Sequence, residues 1–539
     1  MNPNWKWNPV RGEYEMADSL RFQGTGEIPA IDSFRGQTIF IIGSTGFLGK
    51  VLLAMILDCF PEFKHLIVLV RGRKDMPAEK RFFSEVLQSP PLEAVIERMG
   101  GEQAVRRKVT VLEGDLDRPL CGLPLDRIAE LKRKVDIVVN LAGLVDFDPP
   151  LNDALVSNVY GTQHVIELVK QLDSRLLHIS TAYVTGQKDG YILENTPIAG
   201  FFPLRGQREG EEFSVMDELK WCERFIEETR LHRDLQRRGG MNRARQWGWI
   251  NTYTYTKSMG EQLIAQTPGL QYAIVRPAIV ESSLRFPFPG WNEGFTTSAP
   301  LVFMGGDGVK SWPVREDGPL EVIPVDLVAS GILIVMAALL VGKNKPVYHL
   351  ATAESNPILF RRLVEFFGMS ARSRHKHRKE GSLLINLWKA YSDTHAVSLN
   401  TLQSRRARLQ QCLDVLQTVL RLGKIMAGRD AVTPYLKRLR HERHQVRAQE
   451  ILLDKFLPFL LDHSYTFETR NIRETAAMLS NADLKRLKWD PETIDWADYW
   501  MNIHTKGIEK WIRPKVLLAG QSAESIKTQL RLTLRRRTV

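Results

Sequence analysis

A glycine-rich turn between an apolar strand and a helix constrains the fold of this chain more than any other feature. The turn is Gly43-Ser44-Thr45-Gly46-Phe47-Leu48-Gly49, and it lies between the apolar runs Thr38–Ile42 and Lys50–Leu57. A short continuous apolar run before a glycine turn is typical of a parallel strand that is covered on both faces. Strand, glycine turn and helix in this order place a pyrophosphate at the helix N-terminus. The sequence therefore predicts a dinucleotide-binding α/β fold.

The alternation of strands and helices continues to about residue 185. Further strand candidates are Leu66–Val70, Lys108–Leu112, Val135–Asn140, Leu176–Ile179 and Tyr272–Val275. Strands that alternate with helices indicate a doubly wound parallel sheet of the Rossmann type. Residues 187–250 interrupt this rhythm with Gly, Pro and aromatic residues, and we interpret them as a substrate-binding insertion.

The length of 539 residues exceeds one compact domain. We expect an N-terminal arm at 1–35, a dinucleotide-binding domain at 36–355, a mostly helical C-terminal domain at 356–515 and a basic tail at 516–539. The apolar stretch from Leu327 to Gly342 is shorter than a membrane span needs, so we expect a buried helix there.

The net charge of +12 is concentrated in basic runs at 233–245, 372–379 and 535–537. These runs suit a phosphorylated cofactor, coenzyme A or an anionic membrane surface, and a solvated surface explains them equally well. Four cysteines without a CxxC pattern favour a reducing compartment over a zinc site or a disulfide framework. Because no signal-peptide pattern is evident at the N-terminus, we expect a cytoplasmic protein without a metal site or a nucleic-acid partner.

The whole turn from Gly43 to Gly49 is assigned to the cofactor. Gly43 permits the tight turn, Gly46 admits the pyrophosphate and Gly49 allows close helix packing. Arg71 follows the second strand, where an NAD-selective site usually has an acidic residue; an arginine suits the 2′-phosphate of NADPH instead. Arg81 is either a second cation for that phosphate or an ordinary surface residue.

Further cofactor residues are predicted after the later strands. Asp115 and Leu116 follow the third strand, where a carboxylate can meet the adenine edge, although loop aspartates more often form turns. Small residues where the fourth strand ends let the backbone lie against the cofactor, and Asn140, Ala142 and Gly143 are assigned there. Pro277 and Ile279, which follow Tyr272–Val275, are also assigned to the cofactor.

Tyr253 and Lys257 are the candidate acid–base pair. Residues four apart share one face of a helix, and an ammonium beside a phenol lowers the phenol pKa from about 10. The tyrosine can then pass a proton to a carbonyl or alkoxide. Thr181, after the strand Leu176–Ile179, is the candidate hydroxyl that holds a substrate carbonyl.

These motifs resemble those of an extended short-chain dehydrogenase/reductase. The strings Thr45–Lys50, Trp247–Lys257, Pro289–Trp291 and Val322–Val328 are similar to the alcohol-forming fatty acyl-CoA reductases, particularly the bacterial single-chain ones. The stretch from Asn471 to Trp511 resembles the helical C-terminal domain of that family. The resemblance covers about residues 35–513 and is loose over 371–460.

The resemblance implies that a fatty acyl-CoA is reduced through an aldehyde to a primary alcohol, with two NADPH consumed and CoA released. Thr181 and Tyr253 would hold the carbonyl oxygen, and Tyr253 would protonate the alkoxide. Lys257 would bind the nicotinamide ribose, and Asn158 would complete a proton relay through water.

Three alternatives stay open. One is a reductase that stops at the aldehyde or uses a carrier-protein thioester. The second is a sterol dehydrogenase or sugar-nucleotide epimerase, which leaves residues 360–513 unexplained. The third is a non-catalytic NADPH-binding regulator, against which Tyr253 and Lys257 argue.

Segments 197–213 and 286–291 form either an acyl tunnel or ordinary core, and 526–537 forms either a lipid-surface helix or a disordered tail. Peripheral membrane contact and oligomerisation are open.

Overall fold

The computed structural model describes residues 5–8, 13–16, 24–208, 210–295, 297–306, 309–376, 394–426 and 429–516. The chain divides into two compact units, each built from three segments. The first contains Met1–Gly294, Glu321–Pro357 and Tyr465–Asp495; the second contains Phe295–Leu320, Ile358–Ser464 and Trp496–Val539. The crossing after Pro357 lies close to the domain boundary expected from the sequence. No sequence feature predicted the other points at which the chain passes from one unit to the other.

A seven-stranded parallel sheet forms the centre of the first unit. Its strands are β1 (Thr38–Ile42), β2 (His65–Val70), β3 (Val109–Glu113), β4 (Ile137–Asn140), β5 (Arg175–Ile179), β6 (Tyr272–Pro277) and β7 (Val347–Leu350). Their order is β7-β6-β5-β4-β1-β2-β3. The strand order reverses between β1 and β4, and ligands of doubly wound sheets bind beside such a point. The predicted Rossmann-type sheet is confirmed.

Burial on both faces explains the continuous apolar strands. Every residue of β1 is buried. Phe40 and Ile42 of β1 pack on one face with the helix Gly161–Leu172. The helices Phe47–Cys59 and Val325–Leu340 pack against each other, and the second also contacts β5 and β6. The predicted buried helix near 327–342 is therefore present as Val325–Leu340. No helix among the described residues is long and apolar enough to cross a membrane.

The remaining elements of the first unit surround this sheet. Its other α-helices are Ala30–Ser33, Ala78–Arg81, Pro90–Arg98, Glu102–Lys108, Leu125–Leu131, Leu151–Leu155, Val215–Glu228, Arg233–Trp247, Thr252–Ala265, Arg470–Ala477 and Asn481–Leu487. Single turns of π-helix or 3₁₀-helix lie at Phe82–Leu87, Pro119–Gly122, Val156–Tyr160, Ala182–Thr185 and Pro491–Thr493. Short strand pairs join Trp5–Asn8 with Glu13–Met16, Gly190–Ile192 with Tyr465–Phe467, and Ile279–Glu281 with Val322–Pro324.

The second unit is mostly helical, as expected for the C-terminal region. Its helices are Ala299–Gly306, Phe360–Lys376, Leu399–Met426, Arg429–Leu457, Pro458–Asp462, Trp496–Asp498, Tyr499–His504 and Thr505–Trp511. Ser311–Trp312 pairs with His395–Ala396. The basic run at 372–379 is helical up to Lys376, and its last residues lie outside the described part, as does the segment 526–537.

Candidate active site

Two glycines of the turn are required by close packing within the protein. Gly43 has a φ angle of +97°, which favours glycine. A Cβ atom at Gly43 would lie 2.8 Å from the main-chain nitrogen of Ala142 at the end of β4. A Cβ atom at Gly49 would lie 2.2 Å from the oxygen of Gly43. The turn is therefore held against β4 and against the first turn of its own helix.

Gly46 and Ser44 are explained better by a ligand. A Cβ atom at Gly46 would meet only the Gly43 oxygen, at 3.6 Å, so packing does not require glycine there. The Ser44 side chain is fully buried, and its Oγ has no hydrogen-bond partner in the described part of the chain. Gly46 also caps the helix Phe47–Cys59, whose first N–H groups have no partner within the helix. A pyrophosphate would satisfy these groups, so the turn fits a dinucleotide.

Arg81 is closely paired with groups of the protein, whereas Arg71 makes only long contacts among the described residues. The Arg71 side chain is 64% exposed, and its contacts with Asp115 and Asp117 are long, at 3.6 and 3.5 Å. Arg81 is only 16% exposed, and its guanidinium binds the Arg71 oxygen at 2.8 Å and Glu85 at 3.0 Å. The Arg71 guanidinium is therefore accessible to a phosphate, and Arg81 holds the main chain at Arg71 in place.

Asp115 and Leu116 turn the chain after β3. The Asp115 carboxylate accepts a hydrogen bond from the Asp117 nitrogen at 3.1 Å, which is the usual role of a loop aspartate. The main-chain oxygen of Leu116 is 2.8 Å from Nδ1 of His164, and its side chain lies against Gly161. These contacts fix the loop beside Arg71.

The remaining predicted cofactor residues lie where β4 and β6 end. Asn140 Oδ1 accepts a hydrogen bond from the Ala142 nitrogen at 3.1 Å, and its Nδ2 is 3.2 Å from Nδ1 of His178. Pro277 is the last residue of β6 and is buried, whereas the half-buried Ile279 begins the next short strand. The structure thus places these residues at the carboxyl edge of the sheet.

The hydroxyl groups of Tyr253 and Thr181 lie near each other, close enough for Thr181 to stabilise the ionised phenol. Asn251 caps the helix Thr252–Ala265 by accepting a hydrogen bond from the Thr254 nitrogen at 2.9 Å, so Tyr253 lies in the first turn. Thr181 follows β5 directly. The two hydroxyls therefore meet at the carboxyl edge of the sheet, as the sequence predicted.

Lys257 is buried on the same helix, one turn after Tyr253. Its Nζ donates to the main-chain oxygen of Ile179 at 2.8 Å and lies 3.3 Å from Nε2 of His178. A Cβ atom at Gly143 would lie 3.7 Å from this Nζ, so the absence of a side chain keeps space in front of the lysine. The ammonium is therefore fixed at the end of β5 and faces the end of β4.

Burial dominates the pKa values of the pair. It raises the pKa of Tyr253 to about 12, against which the hydrogen bond from Thr181 acts. It lowers the pKa of Lys257 to about 8, opposed by nearby Glu261. The predicted lowering of the phenol pKa by Lys257 is not observed, because desolvation outweighs it and the ammonium is directed at Ile179.

Asn158 braces the site from a single turn of π-helix, Val156–Tyr160. Its Oδ1 accepts a hydrogen bond from the Leu144 nitrogen at 2.8 Å. Its Nδ2 donates to the Leu144 oxygen at 3.2 Å and to Thr256 Oγ1 at 3.1 Å. Both amide hydrogens are used, so Asn158 ties the segment after β4 to the helix of Tyr253. Its role in a proton relay stays a prediction.

Residues that support the site were missed by sequence reasoning. His178 lies between Asn140 and Lys257 and is 1% exposed. Glu261 pairs with Arg276, with Nε 3.0 Å from Oε1, and both side chains are buried. His178 could have been noticed because it is a histidine within the otherwise apolar run Leu176–Ile179. Nothing in the sequence indicated which acidic residue would meet Arg276.

The aromatic residues of the two proposed tunnel segments lie mainly in the core. Phe202 and Phe213 pack in one buried cluster with Trp249 and Tyr255. Trp291 is also buried, and its main-chain nitrogen donates to Ser283 at 2.9 Å. For these aromatic residues, the interpretation as ordinary core is the one that fits.

Comparison with known proteins gives consistent matches. The family model described as male sterility protein, an NAD-binding family, matches residues 41–332. Probable fatty acyl-CoA reductase 5 of Arabidopsis thaliana is 29% identical over 505 residues, covering 89% of this chain and 98% of the relative. Alcohol-forming fatty acyl-CoA reductase of Simmondsia chinensis is 28% identical over 495 residues, covering 88% of this chain and 96% of the relative. A nonribosomal peptide synthetase reductase domain from Mycobacterium tuberculosis has a TM-score of 0.47 at 17% identity, covering 86% of this chain and 89% of that one.

Proposed function

This chain belongs to the male sterility protein family of NAD-binding proteins, and we propose that it reduces a long-chain fatty acyl-CoA to the primary alcohol with NADPH. The observation that carries the proposal is that Tyr253, Thr181 and the buried Lys257 lie together at the sheet edge that also holds the glycine turn. Relatives named as fatty acyl-CoA reductases match nearly the whole chain, and one of them is named alcohol-forming. Both support a thioester substrate and an alcohol product.

NADPH would supply hydride to the substrate carbonyl in each of two reductions. The first N–H groups of the helix after Gly46, with the Ser44 hydroxyl, would hold its pyrophosphate. Arg71 would bind the 2′-phosphate and so distinguish NADPH from NADH, because an arginine gains a charge-assisted contact only from the phosphate. Lys257 would bind the hydroxyls of the nicotinamide ribose.

Tyr253 acts as the general acid. Its pKa of about 12 keeps the phenol protonated at neutral pH, so it can donate a proton as negative charge develops on the carbonyl oxygen. Thr181 offers a second hydrogen bond to the same oxygen. Donors placed where charge develops usually provide the largest part of catalysis.

Lys257 restores the proton that Tyr253 gives up. Because burial lowers its pKa to about 8, it is mostly protonated at neutral pH and releases a proton more readily than an exposed lysine. Its fixed position at Ile179 keeps the ammonium within one helical turn of Tyr253.

The two reductions use the same residues on two different carbonyl compounds. The first converts the thioester to a hemithioacetal, whose C–S bond breaks to release CoA and leave an aldehyde. The second converts the aldehyde to the alcohol. Two NADPH and two protons are consumed for each acyl-CoA, and one CoA and one alcohol are released.

Identification of the product tests this proposal. Purified protein is incubated with palmitoyl-CoA and NADPH, and the lipid extract is analysed by gas chromatography and mass spectrometry. Hexadecanol as the end product supports the proposal. Hexadecanal that accumulates without being consumed overturns it in favour of the reductase that stops at the aldehyde.

Finer expectations stay predictions. These are the likeness to bacterial single-chain reductases, a cytoplasmic location and peripheral membrane contact through 526–537. That tail lies outside the described residues.

A further inference from the structure

The second unit carries a helical hairpin with an exposed apolar stripe. We use the name helical hairpin for the helices Leu399–Met426 and Arg429–Leu457, which pack against each other. Five large apolar side chains on the first helix are between 42% and 63% exposed: Leu409, Val415, Leu416, Val419 and Leu422. On the second helix Tyr435 is 64% exposed.

Exposed apolar side chains are more concentrated in this stripe than on an ordinary protein surface. Single exposed apolar residues are normal, but contiguous ones mark an interaction site. The five residues span four turns, and their spacings of three, four and seven place them along one side of the helix. Cys412 lies among them and is also exposed. Leu402 and Leu436 on the two helices are buried, whereas the stripe stays exposed although the helices pack against each other, so helix pairing does not account for the stripe.

The charge of the hairpin favours an anionic partner. Its two helices contain twelve Lys and Arg residues against five Asp and Glu residues. Asp414, the one acidic residue of the first helix, is paired with Arg443 at 2.8 Å. Arg408, four residues before Cys412, lies on the same side of the helix as the stripe. Arg421 lies about 100° around the helix from Leu422, on the flank of the stripe. Both arginines are exposed. An apolar stripe with cations around it is the pattern of helices that lie in a bilayer interface.

We propose that the stripe of the helical hairpin docks onto an anionic lipid bilayer surface. The apolar side chains enter the boundary between headgroups and acyl chains, and Arg408 and Arg421 contact headgroup phosphates. A second copy of the chain is the less favourable occupant. A two-fold contact would place the same basic patch on both sides of the interface, and like charges facing each other oppose binding.

Vesicle co-sedimentation of the full chain tests the proposal. The wild-type protein is expected to bind vesicles of phosphatidylcholine and phosphatidylserine, and to bind phosphatidylcholine alone at least about ten-fold more weakly. The triple variant Val415→Gln, Val419→Gln, Leu422→Gln should lose most of this binding. The double variant Arg408→Glu, Arg421→Glu should weaken binding by about ten-fold or more. The matched control is Leu125→Gln with Leu231→Gln, since these residues of the first unit are 71% and 82% exposed.

Two further measurements separate docking from misfolding and from self-association. The triple variant should keep its circular dichroism spectrum and its activity on a water-soluble short-chain acyl-CoA. Light scattering should give the same mass for the variant and the wild type. The proposal is overturned if the wild-type protein does not bind anionic vesicles. It is also overturned if the triple variant binds them as well as the Leu125→Gln, Leu231→Gln control does. It is also overturned if the triple variant only changes the oligomeric mass.

Discussion

The Nζ of Lys257 donates a hydrogen bond to the main-chain oxygen of Ile179 at 2.8 Å, and this contact fixes the helix Thr252–Ala265 to the end of β5. Thr181 lies two residues beyond Ile179, and its hydroxyl lies near that of Tyr253. One short segment after β5 therefore positions both the ammonium and the phenol. The geometry of the pair depends on this segment as much as on the four-residue spacing along the helix.

Replacing Tyr253 with phenylalanine removes the general acid but keeps the ring. We expect kcat to fall by about 10²–10⁴-fold, the usual contribution of a placed acid. NADPH binding, followed by fluorescence titration, should change little. Tyr255→Phe is the matched control, because the Tyr255 hydroxyl contacts Cys222 at 3.3 Å and is buried away from Thr181. Activity within ten-fold of wild type in the Tyr253 variant would contradict the assignment.

Replacing Arg71 with alanine tests cofactor selectivity. Loss of a charge-assisted contact worth about 1.5–3 kcal/mol should raise the KM for NADPH by roughly 10–100-fold and leave the KM for NADH nearly unchanged. Arg73→Ala is the control, since Arg73 is similarly exposed but pairs with Glu85 at 2.7 Å. An equal rise for both cofactors would show that Arg71 does not contact the 2′-phosphate.

The pH dependence of kcat/KM reports on Lys257. Burial lowers the pKa of this lysine to about 8, so the ammonium form is present below that pH and is lost as pH rises through it. In the proposed mechanism the ammonium holds the ribose and supplies the proton, so kcat/KM for NADPH should fall on the alkaline side with an apparent pKa near 8. Lys257→Arg keeps its charge over this pH range, so its kcat/KM should not fall near pH 8 even when its overall activity is lower. A fall near pH 8 that persists in the arginine variant would assign the titration to another group.

The buried pair of Glu261 and Arg276 should contribute strongly to stability. Their side chains are 1% and 9% exposed, and Glu261→Gln would leave a buried guanidinium without its counter-charge. Breaking such a pair typically costs about 3–5 kcal/mol, so thermal unfolding should shift to clearly lower temperature. The control is Asp32→Asn in the pair with Arg35, where both side chains are 65% exposed and the expected change is below about 1 kcal/mol. Equal shifts in the two variants would refute this difference.

Much of the fold could be predicted from the sequence because buried parallel strands are continuous apolar runs. Six of the seven strands were expected within a residue or two. Strand β7, Val347–Leu350, was missed. The strand pair between Gly190–Ile192 and Tyr465–Phe467 was also missed, since it joins distant segments and neither strand has a local signal.

The placement of Thr181, Tyr253 and Lys257 at one edge of the sheet could be predicted from the sequence, and their chemical roles stay predictions. The site was not predictable where tertiary contacts decide the role of a side chain. Arg81 was a candidate phosphate ligand, yet the fold uses it to hold the Arg71 oxygen. The direction of the Tyr253 pKa was predicted incorrectly, because the spacing of tyrosine and lysine does not reveal how deeply the phenol is buried.

The number of NADPH oxidised for each CoA released separates two reductions of one substrate from a single reduction. In the proposed mechanism Tyr253 and Lys257 serve both reductions. Palmitoyl-CoA is converted to completion while NADPH is followed by absorbance and CoA by thiol titration. We expect a ratio of two with hexadecanol as the product, and Tyr253→Phe should also fail to reduce added hexadecanal. A ratio of one with hexadecanal as the product would refute the proposed mechanism.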